Sequence, residues 1–120
     1  MANFPENIVP SEMKDFRIEI EEFIKLYNEG KAELVDIRVP FETKVWQVNF
    51  GLKIPANELP ARLVELPKEK LLVVACPHSD RSNMARVYLA EQGFEVKYLV
   101  GGLLALMERL KGGKAKDINL

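Results

Sequence analysis

The stretch LLVVACPHSDRS, residues 71–82, decides how this chain is read. Five apolar residues in a row suit a strand covered on both faces, and the run leads directly into Cys76, the only cysteine of the chain. A helix is expected next, with Ser82 as its cap, Met84, Val87, Tyr88 and Glu91 at three-and-four spacing, and Gly93 past its end. A short loop from strand to helix sets a thiol beside the unpaired N–H groups of a helix's first turn, where those groups and the helix dipole favour thiolate over thiol. If residues 76–81 curl with their amides inward, they form a cradle for an anion. The same features also fit an ordinary buried thiol at the end of a strand.

Outward from this stretch, strands and helices keep alternating. RIEI (17–20) alternates polar and apolar residues as a short strand does, and EEFIKLYNEG then sets Phe23, Ile24 and Tyr27 at helical spacing before Gly30. AELVDIR supplies a second strand around Leu34, Val35 and Ile37, which Pro40 keeps from continuing. FETKVWQVNFG (41–51) reads as a short helix plus a loop, and LKI before Pro55 as a brief third strand. NELPARLVELP reads as a helix capped by Asn57, tolerating Pro60 in its first turn and stopping before Pro67. FEVKYLV makes a fifth strand, the glycines at 101 and 102 permit a tight turn, and LLALMERLKG forms a last amphipathic helix. SEMKDF, near the start, suits a short helix capped by Ser11. This alternation predicts an α/β fold with three layers, α/β/α, around a mostly parallel five-stranded sheet. Residues 1–16 read as an N-terminal extension, 17–111 as the domain proper and 112–120 as a flexible C-terminal tail. Ligands of such sheets bind beyond the carboxyl ends of the strands, and Cys76 falls at one of those ends.

Composition narrows the function classes. The chain has 120 residues, 48% of them apolar, enough for one compact domain. Its 17 basic and 18 acidic residues give a formal charge of −1 and are spread along the chain, so neither nucleic acid nor a membrane surface is expected as partner. No apolar run reaches membrane-spanning length. A lone cysteine forms no internal disulfide, and MANFPENIVP has neither the basic segment nor the apolar core of a signal peptide, so the expected location is the cytoplasm.

The ordered set LVDIRVPFE, IPANEL, LPKEKLLVVACPHSDRS, EQGFEVKYLVGG and LLAL resembles a single-domain rhodanese, a sulfurtransferase. The resemblance runs from about residue 17 to residue 110, and the order and spacing of its motifs are more specific than any one of them. In that family the catalytic cysteine opens a six-residue loop ending in arginine. Here Cys76 and Arg81 bound such a loop, one residue shorter than in the related phosphatases. The resemblance implies that Cys76 takes the outer sulfur of thiosulfate, a polysulfide or a persulfide and passes it from a Cys76 persulfide to a thiol or protein acceptor. It implies no metal and no organic cofactor. Pro77, His78, Ser79, Asp80, Arg81 and Ser82 would surround the substrate, with Arg38 on the pocket wall. The aspartate of the Asp36-x-Arg38 pair would brace loop backbone. The rival reading is a non-catalytic module that binds a sulfur-carrier protein or senses reactive sulfur.

The loop departs from the family's usual composition. Ser79 stands where glycine is common, and Pro77 removes one amide donor. Asp80 is the larger departure. A carboxylate about 4 Å from an anionic substrate costs about 1 kcal/mol in water and about 4 at an effective dielectric near 20, against about 0.3 to 1 from a helix dipole. Altered donor choice is the expected result. The common GHIPGA segment is replaced by WQVNFG, and Leu106 stands where tryptophan is frequent. His78, the only histidine, lacks the further ligands a zinc site needs and is expected on the loop's rim. Glu42 is expected to pair with a basic group, and Trp46 and Phe50 to pack.

Overall fold

The computed structural model describes residues 3–120. Five strands, β1 (Arg17–Ile18), β2 (Ala32–Asp36), β3 (Leu52–Lys53), β4 (Leu71–Ala75) and β5 (Val96–Leu99), form one sheet in the order β1-β5-β4-β2-β3. Every neighbouring pair is parallel. The helices are α1 (Pro10–Met13), α2 (Ile20–Asn28), α3 (Pro40–Val45), α4 (Asp80–Glu91) and α5 (Gly102–Leu110), with 3-10 turns between several of them.

The apolar run that leads into Cys76 is the central strand. Leu72, Val73, Val74 and Ala75 are all fully buried, because layers cover both faces of β4. Alternation along the strand sends Leu72, Val74 and Cys76 to the face packed with Ala85, Leu89 and Phe94. Val73 and Ala75 point the other way, into the cluster of Phe23, Leu34, Leu103 and Leu106. Each such Leu or Val contributes about 1.5–3 kcal/mol by leaving water. Leu106, in the place of a frequent tryptophan, is itself fully buried.

Several expectations need correction, among them the cap at Ser11, since α1 starts at Pro10 with Val9 at its N-cap. Residues 56–66 do not form one helix capped by Asn57; they form two 3-10 stretches, Ala56–Ala61 and Leu63–Glu65, with Asn57 inside the first. Pro60 has no N–H to give an α-helix, and its ring clashes with the carbonyl four residues back. The central helix starts at Asp80, two residues before the cap expected at Ser82, with Ser79 at the N-cap position. Ser82 is buried in the first turn and donates its hydroxyl to Ser79 O at 3.0 Å. The buried face of α4 is therefore Ser82, Ala85, Arg86 and Leu89, while Met84 is 75% exposed. Arg86 reverses the apolar pattern because its guanidinium stacks on Phe16 at 3.8 Å and its Nε donates to Asn83 Oδ1. Residues 112–120, expected to be flexible, are tied down: 112–117 make a 3-10 turn, Ile118 is buried, and Asn28 bonds Asp117 O and Asn119 N–H, each at 2.8 Å.

The topology also locates a crevice. From β2 the chain moves outward to β3, whereas from β4 it moves the opposite way, to β5. β2 and β4 are neighbours, so their carboxyl ends flank the point where the winding reverses, where open α/β sheets hold ligands. Ile37 and Arg38 leave one of these strand ends, and Cys76 leaves the other. Among the described residues no helix is long and apolar enough to cross a membrane.

Candidate active site at the cysteine loop

The loop after β4 is shaped by what binds its carbonyls. Leu103 N–H donates to Cys76 O at 2.7 Å and Leu104 N–H to Pro77 O at 3.3 Å, so the first turn of α5 docks against the loop. This approach requires glycine at 102. Its φ is +67°, and a Cβ there would strike His78 O and lie 2.5 Å from Cys76 O and 2.6 Å from Pro77 O. In a trans peptide the N–H points opposite to the C=O. Drawing Pro77 O toward α5 therefore turns His78 N–H to the other side.

Farther along, Ser79 O accepts from Asn83 N–H and from Ser82 Oγ. Among the described residues, the amides of His78, Ser79, Asp80, Arg81 and Ser82 have no protein acceptor, the Cys76 sulfur included. The last three open α4, where helix geometry leaves N–H groups unpaired. Five successive donors are thus left unclaimed, which is what an anion site in this loop would require. Pro77 contributes no donor. Ser79 sits at φ −135°, outside the left-handed region, so serine replaces glycine without strain.

Cys76 itself is 0% exposed. His78, Asp80 and Arg81 are exposed, Pro77 and Ser79 are half-buried, and Ser82 is buried. Among the described residues, no group of three or more His, Cys, Asp or Glu is placed to hold a metal ion.

The opposite wall comes from the segment after β2. Asp36 Oδ1 accepts from Arg38 N–H at 3.1 Å and from Arg38 Nε at 3.0 Å, and Arg38 Nη2 reaches Asp36 Oδ2 at 2.9 Å. The aspartate thus folds the turn back on itself. Arg38 is 2% exposed, donates also to Trp46 O at 3.0 Å and lies 4.1 Å from the Trp46 ring centroid. Trp46, the first residue of WQVNFG, thus covers this arginine. Phe50 packs on the core, 5.3 Å from Tyr27 between ring centroids.

The two walls are joined by an ion pair. Arg81 Nη1 and Nη2 donate to Glu42 Oε1 and Oε2 at 2.8 and 2.9 Å, a bidentate contact. The guanidinium holds the Glu42 carboxyl below the usual carboxylate range, and Glu42 in turn raises Arg81, with Cys76 and Asp80 adding further negative influence on it. Glu42 also accepts Val39 N–H at 3.3 Å, which fixes it at the start of α3. Beside the clasp lies a groove of about 300 Å³ lined by Phe41, Val45, Trp46, Pro77 and Leu104 together with Arg38 and Glu42.

Of the residues expected at the site, Arg38 and Pro77 line this groove, and Arg38 does so with its charge already matched by Asp36. Sequence reasoning paired Glu42 with a basic group without naming Arg81, and it missed the close approach at Gly102. Signals for both were present: a glutamate two residues after Pro40 at a helix start, and a glycine pair before a helix.

The profile of the Rhodanese-like domain family matches residues 19–109. A sulfurtransferase of Allochromatium vinosum is 38% identical over 73 residues, covering 60% of this chain and 68% of that protein. Among solved structures, the reduced Bacillus anthracis CoADR-RHD superposes with a TM-score of 0.69 at 30% identity, covering 78% of this chain but 17% of that much longer one. A rhodanese-related protein of Thermoplasma volcanium gives 0.68 at 26% identity, covering 78% of this chain and 91% of that one.

Proposed function

Because the chain belongs to the rhodanese-like domain family, a sulfurtransferase lineage, we propose that it moves sulfane sulfur through a persulfide on Cys76. The observation that supports this most directly is the run of unclaimed amides from His78 to Ser82 next to the lone cysteine, at the reversal point of the sheet. The Cys76 thiolate attacks the outer sulfur of a donor such as thiosulfate. The S–S bond breaks, sulfite departs with the electron pair, and Cys76–S–S⁻ remains, stabilised by those unclaimed N–H groups. A thiolate acceptor then attacks the outer sulfur and leaves with it, restoring the Cys76 thiolate. Arg81 and Asp36 position the walls, and no step needs a metal or an organic cofactor. The reducing cytoplasm suits this thiol chemistry.

With Cys76 at 0% exposure, sulfur transfer requires the loop to open. That burial also favours a second reading, a module that binds a sulfur-carrier protein or senses reactive sulfur without turnover. Incubation with thiosulfate or polysulfide and intact-mass measurement distinguishes them. A gain of about 32 Da, absent in Cys76→Ser, supports the persulfide. Repeated transfer to excess thiol supports the enzyme over the sensor, and no gain from any sulfane donor ends the catalytic reading.

A further inference from the structure

We infer that the donor this site takes is a low-charge organic persulfide, R–S–SH with an apolar R, in preference to thiosulfate or another oxyanion. The inference rests on the sulfurtransferase reading above and concerns its substrate class.

Both arginines at the crevice already have a carboxylate partner within the chain. Arg38 is buried against Asp36, and Arg81 is held by both oxygens of Glu42. Asp80, exposed in the first turn of α4 and close enough to influence Arg81, has no cation of its own within ion-pair distance among the described residues and leaves one carboxylate in excess among these five groups. The unclaimed amides suit one anionic sulfur, but a sulfite dianion leaving from thiosulfate is best served by an unpaired cation, and neither arginine beside the loop is one.

The groove that begins at Pro77, the residue after the nucleophile, is mostly apolar instead, with Arg38 and Glu42 its charged lining residues. Phe41, Val45 and Leu104 are 73, 81 and 45% exposed, so three large apolar side chains stand in water around its mouth. Its volume of about 300 Å³ suits a ring or short alkyl chain. In the step proposed, Cys76–S⁻ attacks the terminal sulfur of R–S–SH and the bond between the two donor sulfurs breaks. R–S⁻ leaves with the electron pair, and the proton stays on the new Cys76–S–SH. The leaving group carries a single charge, and R stays in the groove.

The test compares two persulfides with the same sulfane chemistry, one of benzyl mercaptan and one of mercaptosuccinate, on the full chain. Loading is followed by intact mass, and each rate is divided by the same donor's rate with free N-acetylcysteine to remove intrinsic reactivity. The corrected rate is expected to be about tenfold or more higher for the benzyl donor, and Leu104→Asp is expected to reduce that ratio severalfold. A ratio near or below unity, or one indifferent to Leu104→Asp, overturns the inference and leaves the sulfurtransferase reading standing. Loading from neither persulfide overturns the inference, and only the absence of loading from thiosulfate and polysulfide as well overturns that reading itself.

Discussion

Arg81, on the cysteine loop, grips both carboxylate oxygens of Glu42 at 2.8 and 2.9 Å across the crevice, from 39 positions away in sequence. One contact thus ties the loop to α3 and removes the positive charge that ends the family's loop. Glu42→Gln keeps a side chain able to accept Val39 N–H but releases the guanidinium. The expected outcome is a rise of about fivefold in thiosulfate loading of Cys76, with loading from a neutral persulfide changed less than about twofold. Time-resolved intact mass measures both, and an equal change in the two overturns the charge argument.

The same pair makes stability depend on pH in one direction. Because Arg81 lowers the Glu42 carboxyl in the folded protein, its contribution is present above the unfolded carboxyl's pKa and is lost as pH falls through the lower folded value. The urea midpoints of the native chain and Glu42→Gln are expected to differ above about pH 5 and to converge toward about pH 3. The pair is partly exposed, so the gap is small. A gap that widens on acidification contradicts the assignment.

Asp80 is the excess carboxylate of the loop. Asp80→Asn is expected to raise the thiosulfate rate by severalfold, as removal of a like charge from an anion's path does. An unchanged or lower rate shows that Asp80 does not oppose the anion.

Gly102 and Gly30 separate close approach from backbone preference. Both have positive φ, but a Cβ at Gly30 meets nothing within 4 Å, whereas at Gly102 it strikes three loop carbonyls. Gly30→Ala is expected to cost about 1–2 kcal/mol and leave sulfur loading intact. Gly102→Ala is expected to cost more and to abolish loading, since the Cys76–His78 backbone must move. Denaturant melts with parallel mass measurements check this.

The buried Asp36–Arg38 pair gives a non-additive prediction. Arg38→Met strands a fully buried carboxylate and is expected to cost about 3–5 kcal/mol. The double variant Asp36→Asn, Arg38→Met is expected to be more stable than that single one, and chemical denaturation of the three chains decides it.

Local pattern alone identified the five strands, the parallel α/β/α arrangement and Cys76 at a strand's carboxyl end, because the uninterrupted apolar run LLVVA is stable only as a strand buried on both faces. Where two local rules competed it was less sufficient. Pro60 replaced an expected α-helix with 3-10 turns, and Arg86 displaced the apolar phase of α4 by stacking on Phe16. Only tertiary structure decided which charges the site can use. Arg81 and Arg38 look alike in sequence as free cations beside a nucleophile, but each meets its carboxylate through the fold, one 39 residues distant and the other two residues back across a turn held closed by Trp46. Coulomb energy depends on separation in space and on the surrounding dielectric, and neither can be read along the chain.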